Sequence, residues 1–262
     1  MPEIHHNVIE IEGGTLEYLE AGSGEMLVYL HGAGGRPPAG AMFVSELAKD
    51  FRVLVPSRPG FDESSELGEK TNAGAANAVA ALIEKTSQGP VHVIAQSAGG
   101  AVGLWLAILR PDLVSSLVLS APSALAHRAP PREGGAVRSP QDLDRMLYGD
   151  HPTWSEMPTK EEEQRIRRNA AYNMQNFGGN NEDLLGQIAE IRAPVLVLWG
   201  TEDRLVPSDG SGIYQKHIPH AVRMFIYGAA HELPIAATAE WVALVRDFIR
   251  RGEFFVVNTG AE

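Results

Sequence analysis

Six short, almost continuously apolar runs, at residues 26–30, 52–55, 91–95, 116–119, 195–199 and 222–227, are each bounded by Gly, Pro, Ser or Asp. Such runs suit strands buried on both faces of a mostly parallel sheet. Parallel neighbours cannot be joined by a tight turn, so each pair needs a long crossover. The intervals supply it: at 71–84, Val79, Leu82 and Ile83 recur at helical spacing behind Thr71, a residue that can cap the first turn. Two further runs, 8–11 and 15–19, flank Gly13 and Gly14 and read as a hairpin opening the sheet. The chain is therefore expected to be an α/β protein with a mostly parallel eight-stranded sheet and helices on both faces. Ligand sites in such folds sit outside the carboxyl ends of the strands.

The alternation breaks between 121 and 191. There Pro122, Pro130, Pro131 and Pro140 lead into helical segments, one of which opens with the capping-box pair Thr159 and Glu162 and runs through Tyr172, Met174 and Phe177. We expect a core built from 1–120 and 192–262, with 121–191 inserted as a helical cap. The stretch 101–109 is apolar almost all round, so a second layer must cover it on the side away from the sheet.

The 262 residues carry a formal net charge of -11, which repels nucleic acid and anionic membrane surfaces alike. No run approaches about 18 uninterrupted apolar residues, and the first residues lack a basic stretch followed by an apolar one. A small-molecule partner, with no nucleic acid, no membrane and a cytoplasmic location, is the expectation. The absence of cysteine removes disulfides, thiolate metal sites and cysteine nucleophiles. The apolar tail at 253–258 fits either a homodimer contact or packing against the body.

The strongest chemical signal is Ile-Ala-Gln-Ser-Ala-Gly-Gly at 94–100, where a strand runs through a turn of small residues into an apolar helix. A sharp turn of this kind pushes the Ser97 hydroxyl into the open, and the helix N-terminus favours developing negative charge. A serine hydroxyl needs a positioned base. Of nine histidines, His231 follows the last strand directly, whereas His92 alternates within a strand as a core residue would, and the others suit surface positions. Asp203, just past the strand 195–199, is the carboxylate expected to orient His231, since the loop after the preceding strand has no acid; the adjacent Glu202 should point away. Backbone amides of Ala33, in the His-Gly-Ala-Gly-Gly segment at 31–35, and of Ala98 are the expected oxyanion donors.

Together these segments, with Ser-Arg-Pro-Gly-Phe-Asp-Glu-Ser at 57–64, closely resemble the α/β-hydrolase superfamily over nearly the whole chain outside the cap. Two places depart from the family's pattern: Ala95 stands for the first Gly of Gly-x-Ser-x-Gly, and Ser57 and Asp62 stand where Asp and Gly are usual. The resemblance implies a cap-bearing serine hydrolase without metal or cofactor. Relatives that use an aspartate nucleophile, the epoxide hydrolases and dehalogenases, are disfavoured by Ser97. Hydrolysis of a small ester or lactone through an acyl-enzyme is the leading expectation. Carbon–carbon or amide bond hydrolysis, or a lyase reaction, with the same triad is the alternative, and a slow-turnover ligand receptor is the rival of another class. Trp154, Tyr172, Met174 and Phe177 are candidates for an apolar substrate pocket, and Arg58, Arg36, Arg128 and Arg132 for a substrate carboxylate; packing and surface roles compete for each.

Overall fold

The computed structural model describes residues 2–38, 40–125, 139–149, 159–177 and 182–252. The predicted pocket residue Trp154, together with Arg128, Arg132 and the tail at 253–258, lies outside them. Eight strands form one sheet: β1 (Ile4–Ile11), β2 (Gly14–Ala21), β3 (Met26–Leu30), β4 (Arg52–Pro56), β5 (Val91–Gln96), β6 (Val114–Ser120), β7 (Val195–Gly200) and β8 (Ala221–Ile226). Their spatial order is β1-β2-β4-β3-β5-β6-β7-β8. The hairpin β1–β2 and the pair β2–β4 are antiparallel, and every pairing from β4 through β8 is parallel. Gly13 turns the hairpin with φ 85°, a conformation that costs glycine little. The hairpin begins earlier than its apolar run because the backbone of the edge strand β1 pairs with β2 from Ile4 opposite Ala21, which needs no apolar side chains. His5 and His6 extend it while remaining exposed, and Val8 faces outward.

Why the central strands read as unbroken apolar runs is visible in their alternation. Val28, Leu30, Leu54, Val93, Leu117 and Val195 join one buried cluster, whereas Leu27, Tyr29, Val53, Ile94, Val118 and Leu196 join another on the opposite face. The first face is covered by α2 (Asn72–Thr86) and α3 (Gly99–Leu109), the second by α1 (Met42–Leu47) and α9 (Thr238–Arg251). Burying one such aliphatic side chain contributes roughly 1.5–3 kcal/mol, so each parallel strand gains on both sides. Thr71 caps α2 as expected, its side chain accepting from the Gly74 N–H at 2.9 Å. The indole N–H groups of the two fully buried tryptophans are satisfied, Trp199 donating to Val206 O and Trp241 to Ser120 Oγ.

Between β6 and β7 lie α4 (Pro140–Tyr148), α5 (Lys160–Phe177) and α6 (Glu182–Gln187). The α3 helix receives its cover here, from Leu184 of α6 and from Ile188 just beyond it. The capping box of α5 forms in both directions: Glu162 accepts from the Thr159 N–H at 2.8 Å, and Thr159 Oγ1 accepts from the Glu162 N–H at 3.2 Å. The remaining helices, α7 (Ser211–His217) and α8 (Leu233–Ala236), flank β8. Among the described residues no helix is long and apolar enough to cross a membrane.

Candidate active site

Ser97 occupies the turn between β5 and α3 with φ 49°. It is one of three described non-glycine residues with positive φ, the others being Asp62 and Ala121. A side-chain-bearing residue there costs about 1–3 kcal/mol and persists only where its surroundings fix it. They do: the Ser97 N–H donates to Ser120 O at 2.9 Å, and Ser97 O accepts from the N–H groups of Gly100 and Ser123. Gly99 makes the turn sterically feasible, because a Cβ there would stand 2.5 Å from Leu30 O at the end of β3.

His231 reaches this turn from the loop after β8. Its Nε2 lies 2.9 Å from Ser97 Oγ and its Nδ1 lies 2.8 Å from Asp203 Oδ2. A carboxylate only accepts, so Nδ1 carries the proton and Nε2 is left to accept from the serine hydroxyl. Asp203 is fixed in turn, its Oδ1 accepting from the amides of Leu205 and Val206. The neighbouring Glu202 is exposed and pairs with Arg204. His231 and Asp203 are each 1% exposed against 8% for Ser97, so the hydroxyl end of the chain of contacts is the part that meets solvent. Burial presses the His231 pKa down, but the bond and charge of Asp203 more than offset this and leave it raised. The loop bearing His231 is anchored to α4: its N–H donates to Met146 O, and that of Glu232 to Leu147 O.

The segment after β3 approaches Ser97 from the other side. A Cβ on Gly32 would lie 3.2 Å from Ser97 Cβ, which measures how closely this loop passes the turn. Ala33 and Ala98 are half-buried residues whose amides have no acceptor among the described residues. His31 is buried beneath the loop. Its Nε2 accepts from the Arg58 N–H at 3.0 Å, so Nδ1 bears the proton and donates to Gly32 O at 2.8 Å. Burial, then the charge of Arg58, lowers its pKa to about 3 and keeps the ring neutral.

Several expectations change here. Arg58 is fully buried, with its guanidinium over the Phe61 ring at 4.3 Å and bonded to Gly32 O and Asn173 Oδ1, so it lines no pocket that a substrate carboxylate could enter. Met174 is 79% exposed. The helical rotation that turns Asn169, Asn173 and Phe177 inward carries Met174 outward, which removes it from any pocket wall. Tyr172 and Phe177 pack on Phe61, with ring centroids at 5.4 and 6.0 Å, and serve as contacts between α5 and the 57–64 loop. Arg36 pairs with Glu17 at 2.8 Å. His92 bonds Ser116 Oγ at 2.9 Å, in keeping with a core role. Two clefts of about 350 and 640 Å³ lie away from Ser97 and contribute nothing to this geometry.

A clamp that the sequence hides ties α5 to the core. Asp62 Oδ1 accepts from Arg165 at 2.7 Å and from Asn169 at 2.8 Å, and its Oδ2 accepts from Ser57 Oγ at 2.9 Å. Asn169 also donates to Gly34 O and Arg165 to Arg36 O, so the loop beside Ser97 is held by α5. The one sequence signal was the acid at Asp62 where the resembling family has glycine, in a turn that still demands positive φ.

The sequence profile of the alpha/beta hydrolase fold matches residues 25–157, just over half of the chain. The chain is 29% identical over 221 residues to a 2-hydroxy-6-oxo-6-phenylhexa-2,4-dienoate hydrolase of Comamonas testosteroni, covering 74% of this chain and 77% of that one. It is 30% identical over 231 residues to a 2-hydroxy-6-oxononadienedioate/2-hydroxy-6-oxononatrienedioate hydrolase of Paraburkholderia phymatum, covering 76% and 79%. Among solved structures, a 2-hydroxy-6-oxo-6-phenylhexa-2,4-dienoate hydrolase from a Rhodococcus strain superposes with a TM-score of 0.74 at 22% identity, over 95% of this chain and 100% of that one. At that identity the superposition speaks for the fold alone. With this sheet order, the serine at its strand-to-helix turn and the family profile in agreement, the chain belongs to the α/β-hydrolase family and is an enzyme of that class.

Proposed function

We propose that this enzyme hydrolyses a carbon–carbon bond in a vinylogous 1,5-diketone of the 2-hydroxy-6-oxo-dienoate type, with Ser97 as nucleophile, His231 as base and Asp203 orienting it. The reading rests on one observation above others: the unbroken Ser97–His231–Asp203 relay, at 2.9 and 2.8 Å, in a chain similar over about three-quarters of its length to hydrolases named for such dienoates. Those names favour the carbon–carbon bond over the small ester or lactone that the sequence put first, and nothing specific supports an amide hydrolase, a lyase or a receptor.

In this reading the dienol first tautomerises to the diketone: its 2-hydroxyl gives up a proton and the carbon next to the ketone gains one. Ser97 Oγ attacks the ketone carbon while His231 Nε2 takes its proton, and the Ala33 and Ala98 amides hold the oxyanion. Collapse breaks the bond to the protonated carbon, whose electron pair is delocalised onto the distant oxo group. His231 returns its proton to this leaving group. Water, deprotonated by His231, then attacks the acyl carbon, and His231 returns that proton to Ser97 Oγ as the acid is released. Asp203 keeps the imidazolium oriented and charge-balanced throughout.

The test is a substrate panel of 2-hydroxy-6-oxo-dienoates with phenyl, alkyl and carboxyalkyl ends beside p-nitrophenyl esters and lactones, with products identified by mass. The proposal expects the best kcat/KM on a dienoate, at least about tenfold above any ester, and loss of that turnover in Ser97→Ala. Turnover of esters or lactones alone would return the assignment to the carboxylic ester class.

A further inference from the structure

The peptide unit between Gly32 and Ala33 has two ends. Its N–H, on Ala33, is the amide proposed for the oxyanion; its carbonyl, on Gly32, points away into the protein. That carbonyl accepts from His31 Nδ1 at 2.8 Å and from Arg58 Nη2 at 3.0 Å, with Gly35 N at a longer 3.4 Å. A guanidinium on a carbonyl is a charge-assisted hydrogen bond, about twice as strong as a neutral one. Drawing electron density toward the carbonyl makes the N–H of the same peptide a better donor, as in any hydrogen-bonded chain.

Arg58 is an unusual group to find in this place. It is fully buried, no Asp or Glu among the described residues forms an ion pair with it, and its Nε and Nη1 have no hydrogen-bond partner there. Burial alone lowers its pKa, to about 9, so it stays predominantly cationic at neutral pH. A buried charge without a counter-ion is a standing cost to the fold. The carboxylate on the same 57–64 loop, Asp62, is bonded to Arg165, Asn169 and Ser57. The negative charge missing beside Arg58 is one that forms only during the reaction, at the other end of the peptide it touches.

We propose that Arg58 is a positioning residue for the oxyanion: through Gly32 O it fixes and polarises the Gly32–Ala33 peptide, and its uncompensated charge favours the tetrahedral intermediate over the bound substrate. The inference rests on the proposed attack by Ser97, and on no particular choice between carbon–carbon and ester bonds. Binding energy that appears only in the transition state raises kcat and leaves KM nearly untouched.

The experiment compares the wild type with Arg58→Met, Arg58→Lys, Arg58→Gln and Asn173→Ala, each checked for folding by circular dichroism, on whichever dienoate or p-nitrophenyl ester the wild type turns over. A trifluoromethyl ketone, which adds Ser97 to give a tetrahedral oxyanion, serves as the second readout. Losing a whole oxyanion donor costs about a hundred- to a thousand-fold, so losing its polarisation is expected to cost about tenfold in kcat, with KM within about twofold. Inhibition by the trifluoromethyl ketone should weaken by the same factor. Arg58→Lys should recover part of both, and Arg58→Gln, which keeps a donor without charge, should fall between. Asn173→Ala removes only the bond between Arg58 and α5, so its fall in kcat should be clearly smaller than that of Arg58→Met.

A folded Arg58→Met with kcat within about twofold of the wild type overturns the inference. So does a loss shared equally by kcat, KM and the binding of the carboxylic acid product, or an equal loss in Asn173→Ala, since each marks a structural role. Should Arg58→Met fail to fold, Arg58→Gln and Arg58→Lys decide by the same criteria. Ser97→Ala separates the two levels: full turnover there removes the nucleophile reading itself, whereas an inactive Ser97→Ala beside an unaffected Arg58→Met removes only the role of Arg58.

Discussion

On the His231 side of Ser97 the buried charge of Asp203 lies against a ring that can become its counter-ion, whereas on the loop side Arg58 carries a charge bonded to no ionisable group. Asp203 meets His231 at 2.8 Å and receives two backbone amides on its other oxygen. Arg58, equally buried, meets only neutral acceptors and the face of an aromatic ring. Under the proposed reaction, the difference suits each side to its own step. A proton relay needs a base whose cationic form has its counter-charge ready. A site for a transient anion gains from positive charge that the ground state leaves unanswered.

The largest effect that can break this comparison is the loss of its centre. Ser97→Ala should lower kcat by about 10⁴-fold or more while preserving the fold, measured by steady-state turnover beside thermal unfolding. Next comes the compensated side: Asp203→Asn should cost about 10³- to 10⁴-fold in kcat, because the imidazole loses its orientation and tautomer. The pH profile sharpens this prediction. His231 must be neutral to take the proton, and its pKa is raised, so the acid limb of kcat/KM should fall above the ordinary histidine value of about 6.5. In Asp203→Asn the residual activity should show that limb at lower pH, since the group that raised the pKa is gone.

The Arg58 substitutions follow in size. Smallest for catalysis is the clamp behind both sides. Asp62→Asn leaves Arg165 and Arg36 short of a carboxylate. It should raise KM a few-fold through a looser α5 and lower stability by about 2–3 kcal/mol in denaturant unfolding. Burial pushes the Asp62 pKa up, but the bonds from Arg165 and Asn169 and the charge of Arg165 more than offset it and hold it at about 2. A depressed carboxylate pKa contributes stability that is present above the ordinary carboxylate range and lost as pH falls toward about 2. Wild-type stability should therefore drop more steeply than that of Asp62→Asn between about pH 4 and pH 2.

What the sequence makes legible follows the range over which each signal acts. The strands and the crossover at 71–86 are written in local apolar runs and a threonine cap, and the strand-end positions of Ser97, Asp203 and His231 follow from where those runs stop. The partners of Arg58 and Asp62 are not local. Arg58 meets Asn173 across 115 residues and Asp62 meets Arg165 across 103, on a helix whose phase relative to the core is fixed only by packing. That missing phase is also why Met174, adjacent to the inward Asn173, read as a pocket residue while it faces solvent. An arginine read from sequence alone is a surface or ligand-binding group by default. Only the structure shows Arg58 closed in behind the loop.

The central claim, that Ser97 is the nucleophile activated by His231, is tested most directly by covalent labelling. The wild type treated with an alkyl fluorophosphonate should gain a single adduct in intact mass, mapped by peptide sequencing to Ser97 and absent in Ser97→Ala. His231→Ala should label far more slowly. An adduct on another residue, or undiminished labelling of Ser97→Ala, would contradict the account.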